Sequence, residues 1–500
     1  MRIFIFMAAS LLFVHASYSQ KNKNDAKAAA AFDEYVKQAL PRWQTPGMSI
    51  AIVKDGKIVF KKAYGLRELG KPQPFTTATL SACASTTKAM TAVCMGMLVD
   101  EGKLKWSDKV VDILPSFKLA NPFTSAEITV LDLFTHNAGL GNADLLWVSG
   151  YSRTEIVARM QLLQPVYSLR ASFIYQNLMY VVAGEVIHAK SGQTWDAFIQ
   201  ERLFKELGMT NTYADYSALT TGIDKTAAHY KDKDSIRPIP YLYADNIGAA
   251  GGVWSCANDM AKWLLCVLDS TKINGKRLLQ PRTYSAIFKP QVIAPTSMYP
   301  TMQIIQPHWF TYGLGWFQHD YRGKMIQLHT GSLAGLTAIA GLVPEDQLGI
   351  YIFGNLDHAE LRHALMYKAF DLWSFNDNSK DWSNAFYPLY SALADSARQR
   401  EKDELAKRVP GTHPSLPLNS YTGKYSNKSL ASIEVTIKDS ILTIEMPGNI
   451  QLSLRHWHFD VFRGAYNHWW SGNAWVQFLP DKEGAIQALR IDALDYSRTN

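Results

Sequence analysis

The chain has 500 residues, of which 47% are hydrophobic, 12% aromatic and 19% charged. That length supplies two or three domains and a large core, and the balance excludes a disordered or collagen-like chain. The 51 Lys and Arg exceed the 44 Asp and Glu to give a net charge of +7, but they are spread along the chain without the basic stripe that nucleic-acid binding needs.

Met1-Arg2 precede an apolar stretch from Ile3 to Val14 and the small residues Ser17 and Ser19, the pattern of a secretory leader over residues 1–19. No later window reaches the roughly 20 apolar residues of a transmembrane helix, so the expectation is an exported chain, periplasmic or secreted, without a membrane span. Ala26 to Leu40 is Ala-rich and helical, with Pro41 as its stop. Met48 to Lys54 and Lys57 to Tyr64 are strand-like runs joined at Asp55-Gly56, a strong hairpin signal. Met90, Val93, Met97 and Leu98 recur at helical spacing within Thr86 to Asp100, with Gly102 just beyond. Lys103 to about Asp320 reads as short helices and turns.

Strands return at Met325 to His329, Leu336 to Val343 and Leu348 to Phe353, followed by an amphipathic helix from His358 to Trp373. Asn376 to Pro417 has the composition of a linker carrying a charged helix from Ser391 to Arg408, and Tyr421 to Asn500 shows short alternating runs. The fold class expected is therefore α+β: an antiparallel sheet flanked by helices plus a helical region, then a small all-β domain. The boundaries expected are 20–375, a linker over 376–417, and 418–500.

Ser85-Thr86-Thr87-Lys88 is the only Ser-x-x-Lys in the chain and opens a helix. Residues three apart share a helix face, so the Lys88 amine stacks above the Ser85 hydroxyl and can accept its proton. Tyr175-Gln176-Asn177 lies in a turn-like stretch and offers a phenol for proton relay and an amide for Lys88 or a substrate carbonyl. In His329-Thr330-Gly331-Ser332 at a strand end, the histidine supplies a donor, the glycine lets a substrate backbone approach, and the next amide can face an oxyanion.

In this order the three elements resemble the serine β-lactamase and penicillin-binding-protein superfamily, especially its class C-like branch of esterases, D-peptidases and β-lactamase-related proteins. The resemblance covers about Phe32 to Trp373, and Ile128 to Leu140 (ITVLDLFTHNAGL) and Gly248 to Trp263 (GAAGGVWSCANDMAKW) add to it. It implies that Ser85 is the acylated nucleophile, that Lys88 and Tyr175 handle protons, and that Asn177, His329, Thr330, Gly331 and Ser332 bind substrate. The amides of Ser85 and Ser332 would form the oxyanion hole. It implies no cofactor and no metal, and a small-molecule or peptide substrate with an ester or amide bond. His329 stands where penicillin-recognising members place lysine, which weakens carboxylate recognition and favours uncharged substrates. The alternative is a penicillin-binding-type sensor that acylates without turnover.

Other features have plainer readings. Gly248, Gly251 and Gly252 form a turn near the site, with Ser255 as a helix N-cap. His136 is a buried histidine bonding backbone groups. Cys83, Cys94, Cys256 and Cys266 are small buried hydrophobes rather than a disulfide framework. His456, His458 and Asp460 alternate on a strand without making a convincing metal site, and Trp457, Trp469, Trp470 and Trp475 are read as the core of the tail domain.

Overall fold

A computed structural model of the chain describes residues 2–499 apart from 234 and 274, with side chains from residue 23 onward except at 273 and 276. The expected leader at 1–19 lies outside the described side chains. Among the described residues, no helix is long and apolar enough to cross a membrane. Two compact units divide the chain, Met1–Trp106 with Ala183–Tyr390, and Ser107–Val182 with Ser391–Asn500.

In the first unit, β1 (Gly47–Lys54) and β2 (Lys57–Gly65) meet through Asp55 at φ 49° and Gly56 at φ 74°. Two successive left-handed residues give the turn whose twist matches the strands. The sheet is completed far along the chain by β3 (Val292–Ile293), β4 (Phe310–Tyr312), β5 (Phe317–Tyr321), β6 (Lys324–Leu333), β7 (Leu336–Val343) and β8 (Leu348–Gly354). Its order is β2-β1-β8-β7-β6-β5-β4-β3, antiparallel throughout. The strand expected to end at His329 continues to Leu333, because Thr330, Gly331 and Ser332 keep pairing with Ile339, Ala338 and Thr337. The turn falls instead at Gly335, φ 76°.

Helices cover both faces, so β7 and β8 are buried along their whole length. On one face lies α3 (Ala257–Leu268), following α1 (Arg2–Trp43) and α2 (Thr87–Asp100) in the chain. A methyl at Gly349 would meet Leu264 and Leu268 of α3, whereas one at Gly341, paired with Ile350, would meet Met366 and Phe370 of α4 (Leu361–Ser374) on the other face. Pro41 does not stop α1: a proline in the last turn forfeits a single N–H bond, and the helix ends two residues later, before Gln44 at φ 53°. Nor does Ser255 cap α3. Cys256 holds the cap position, and the Ser255 hydroxyl lies 2.8 Å from that of Thr212. The stretch read as linker opens a long helix, α5 (Trp382–Ala406), nine residues before the expected start at Ser391. Trp382 and Phe386 are buried, and Trp382 Nε1 donates to the buried Asp371 at 2.7 Å.

In the second unit, residues 107–182 form short helices and turns, and the tail is a closed eight-stranded barrel. Tyr421, Tyr425, Val435, Ile444, Leu452, Phe462, Val476, Phe478 and Leu489 fill its interior. The four tryptophans are not in that core. They stand half-exposed outside it, with Arg408 over Trp457 and Arg463 over Trp475, since the small barrel lumen is already filled by Phe, Tyr and aliphatic side chains. Asp460 accepts from Ser415 and Tyr421, His456 Nε2 lies 2.8 Å from the Phe459 carbonyl, and His458 Nδ1 accepts from Val409 N–H. Each of these groups fastens a turn. Ser429 of the barrel receives Arg159 on its carbonyl at 3.3 Å and donates its hydroxyl to Leu162 O at 3.1 Å.

Candidate active site

The short strand Ser81–Ala82 leads into the turn Ala84–Thr86 that starts α2. Cys83 N–H donates to Val253 O at 2.8 Å, and Ala84 then adopts φ 46°, a left-handed conformation that costs a β-carbon residue about 1–3 kcal/mol and commonly marks functional turns. Ser85 emerges half-exposed, while Lys88, one turn on, is wholly buried. The Lys88 amine donates to Ser85 Oγ at 3.1 Å and to Ala250 O at 2.9 Å. That second partner belongs to Gly248–Gly251, the expected turn, which is a single helical turn whose Ala249 carbonyl also accepts from Thr91 at 2.7 Å. The four cysteines are all buried free thiols, and burial pushes the Cys83 thiol up to about 12.

The His-Thr-Gly-Ser run lies along β6, beside the turn that carries Ser85. A methyl on Gly331 would sit 2.2 Å from Cys83 O and 3.1 Å from Ala84 Cβ, so this glycine admits the Ser85 turn itself rather than a substrate backbone. His329 departs from expectation too. It is buried, its Nδ1 lies 2.7 Å from Thr330 O and its Nε2 lies 3.1 Å from Tyr312 Oη. A ring whose Nδ1–H donates to the carbonyl and whose Nε2 accepts from the phenol meets both partners. Burial, followed by the nearby Lys88 charge, lowers its pKa to about 3. The imidazole is thus neutral and engaged within the protein at both nitrogens, not free to lend a donor to substrate. Arg362, also buried, donates to Gly331 O at 2.6 Å, Ala338 O at 3.1 Å and Ser332 Oγ at 3.1 Å, and pairs with Glu360 at 3.1 Å. Tyr299 Oη lies 3.1 Å from Thr330 Oγ1. Ser332 itself is exposed. Tyr312, Arg362 and Tyr299 carry no signal in the sequence, because each acts through contacts with residues distant along the chain.

Tyr175 and Asn177 belong to the second unit, where the segment around His136 fixes their turn. His136 is buried at φ 58°. Its carbonyl accepts from Ile174 N–H at 2.8 Å and its Nδ1 from Gln176 N–H at 3.0 Å. The Tyr175 and His136 ring centroids are 4.3 Å apart. Gln176 donates to Gly141 O at 2.6 Å, and Arg170 makes two bonds to the buried Asp132, at 2.6 and 2.9 Å. Asn177 Nδ2 donates to Asp144 Oδ1 at 2.9 Å.

The Beta-lactamase family model matches residues 30–371, more than half of the chain, and a domain of unknown function (DUF3471) matches 407–500. The "Unguisins hydrolase ungD'" of Aspergillus campestris is 29% identical over 412 residues, covering 79% of this chain and 75% of that protein. The "Unguisins hydrolase ungD" of Aspergillus violaceofuscus is 26% identical, over 81% and 76% of the two chains. Among solved structures, the octameric penicillin-binding protein homologue from Pyrococcus abyssi superposes with a TM-score of 0.62 at 21% identity, over 93% of this chain and 98% of that one.

Proposed function

The chain belongs to the beta-lactamase family, and on that premise we propose that it is a serine hydrolase cleaving an ester or amide through an acyl-enzyme on Ser85. The observation that carries this reading is the wholly buried Lys88 amine 3.1 Å from the half-exposed Ser85 hydroxyl. Lys88 takes the Ser85 proton as Oγ bonds to the substrate carbonyl carbon. The amides of Ser85 and Ser332 receive the charge that develops on the carbonyl oxygen. Tyr175 passes a proton to the leaving group, Asn177 and Thr330 orient the acyl portion, and water then releases it from Ser85. His329, neutral and held by Tyr312, supports β6 and gives a substrate carboxylate no charge to bind. The hydrolase names of two relatives support turnover over a single permanent acylation. We place the reaction outside the cytoplasm, on the leader pattern of residues 1–19.

The test is a fluorophosphonate probe with intact-mass readout, followed by a chromogenic ester. The wild-type chain gains one adduct, Ser85→Ala gains none, and the ester acyl mass appears only transiently. Equal labelling of Ser85→Ala refutes the reading, and an ester adduct that persists for hours replaces it with the sensor.

A further inference from the structure

We propose that Arg362 is a positioning residue for the reaction: it fixes and polarises the Gly331–Ser332 peptide, so that the Ser332 amide meets the substrate oxyanion as a strengthened donor. The inference rests on that amide receiving the carbonyl charge as proposed above. Arg362 lies in the first turn of α4, buried within the same compact unit as Ser85 and Ser332. Its fork is divided between two tasks. Nε and Nη2 pair with the buried Glu360 carboxylate at 3.2 and 3.1 Å, a two-point grip that sets the guanidinium plane. Nη1 is thereby aimed at the sheet, donating to Gly331 O at 2.6 Å, Ala338 O at 3.1 Å and Ser332 Oγ at 3.1 Å. The shortest of the three falls on the Gly331 carbonyl.

The carbonyl of Gly331 and the N–H of Ser332 are the two ends of one planar peptide and point in opposite directions. Nη1 reaches Gly331 O and Ala338 O together, so that carbonyl faces β7 and the Ser332 N–H faces the other edge of β6. Among the described residues, β5 pairs with that edge from Lys324 to Leu328, and no strand pairs with it at Ser332. An amide is a resonance unit. A cation on its oxygen draws electron density through the C–N bond and makes the N–H a better donor. Water does not quench this pull, because the guanidinium is buried. Glu360 binds the other two nitrogens, so the one nearest the peptide is the one it does not touch.

The test uses the full chain and two substrates, a chromogenic ester and its thionoester, in which sulfur replaces the carbonyl oxygen and accepts hydrogen bonds poorly. The wild-type chain is expected to turn over the ester about 100-fold faster, the scale of one lost oxyanion donor. Arg362→Met combined with Glu360→Gln removes both buried charges together and leaves neither unpaired. It is expected to lower kcat for the ester about tenfold at little-changed KM, and to shrink the ester-to-thionoester ratio about tenfold. A merely structural role would slow both substrates alike, so an unchanged ratio overturns the proposal. Arg362→Lys keeps the charge but not the fork and is expected to restore part of the ratio. It decides alone should the double variant not fold: a wild-type ratio in Arg362→Lys overturns the proposal too. Fluorophosphonate labelling run alongside separates the two readings. A wild-type chain that labels at Ser85, with a ratio that the variants do not move, refutes only the role of Arg362. One that does not label removes the hydrolase reading and this one with it.

Discussion

Gly331→Ala is the substitution on which the geometry of the Ser85 turn bears most directly. The added methyl would lie 2.2 Å from Cys83 O, against the 3.4 Å at which ordinary contact begins, so strand and turn must part by about 1 Å. Neither side yields readily. Cys83 O accepts from Thr86 Oγ1 at 2.9 Å while Cys83 N–H is held by Val253, and Gly331 is paired to Ala338 with its carbonyl bound by Arg362. Overpacking of this kind costs about 1–3 kcal/mol, which a domain of this size survives. A displacement of about 1 Å at a nucleophile, in contrast, costs about 100-fold in rate. The variant is therefore expected to fold, with a modestly lower urea midpoint, and to react with fluorophosphonate about 100-fold more slowly. Gly323→Ala is the control: Gly323 has a positive φ, 81°, which Gly331 does not, but nothing lies within 4 Å of its added methyl, so it loses some stability and no reactivity. Wild-type labelling in Gly331→Ala would refute the claim that β6 sets the position of Ser85.

Two further outcomes follow from buried histidines. Burial lowers His329 to about 3 and His319 to about 4, so between pH 6.5 and 4 the unfolded chain takes up protons that the folded chain refuses. Stability is thus full above pH 6.5 and falls as the pH drops, by up to about 1.4 kcal/mol per pH unit for each ring. His308 and His358, raised by Asp320 and Asp357, add stability as the pH falls through about 6.5 and no slope once both are charged in either state, about one pH unit lower. Urea midpoints at about pH 5.5 and about pH 4.5 check this, and a midpoint that rises toward acid contradicts it. His136→Phe keeps a ring against Tyr175 but strips the Gln176 N–H of its acceptor, an omission worth about 1–3 kcal/mol. It is expected to lower kcat about tenfold at little-changed KM, with partial recovery in His136→Gln. Indistinguishable kcat values in both variants would show that the Tyr175 turn holds itself.

What could be read beforehand was what neighbouring residues decide among themselves. Asp55-Gly56, the periodicity of α2 and the apolar runs of β7 and β8 are local patterns, and three-residue spacing alone puts the Lys88 amine over the Ser85 hydroxyl. The misreadings share one physical cause, a distant partner that overrides local preference. β3, β4 and β5 are two to five residues long and exist because β6 offers an edge to build on. α5 starts early because Trp382 finds the buried Asp371. The tryptophans are outside the barrel because Phe462, Phe478 and two tyrosines occupy its centre. His329 reads as a substrate donor until Tyr312, seventeen residues earlier, takes up one ring nitrogen.

The central sheet has a consequence for synthesis of the chain. β1 is apolar on both faces and must pair with β8, Met48 against Gly354, a partner 306 residues later (354 − 48). At about 5–20 residues per second, the ribosome leaves that strand unmatched for roughly 15 to 60 s, a sticky ribbon that chaperones are expected to shield. Over the same interval β6 has not been made, so nothing presses on Cys83 and the serine turn has no reason to hold its strained shape. On the proposed reading of Ser85, a nascent chain is thus expected to react only after its sheet has closed, with connectivity alone holding back acylation during translation.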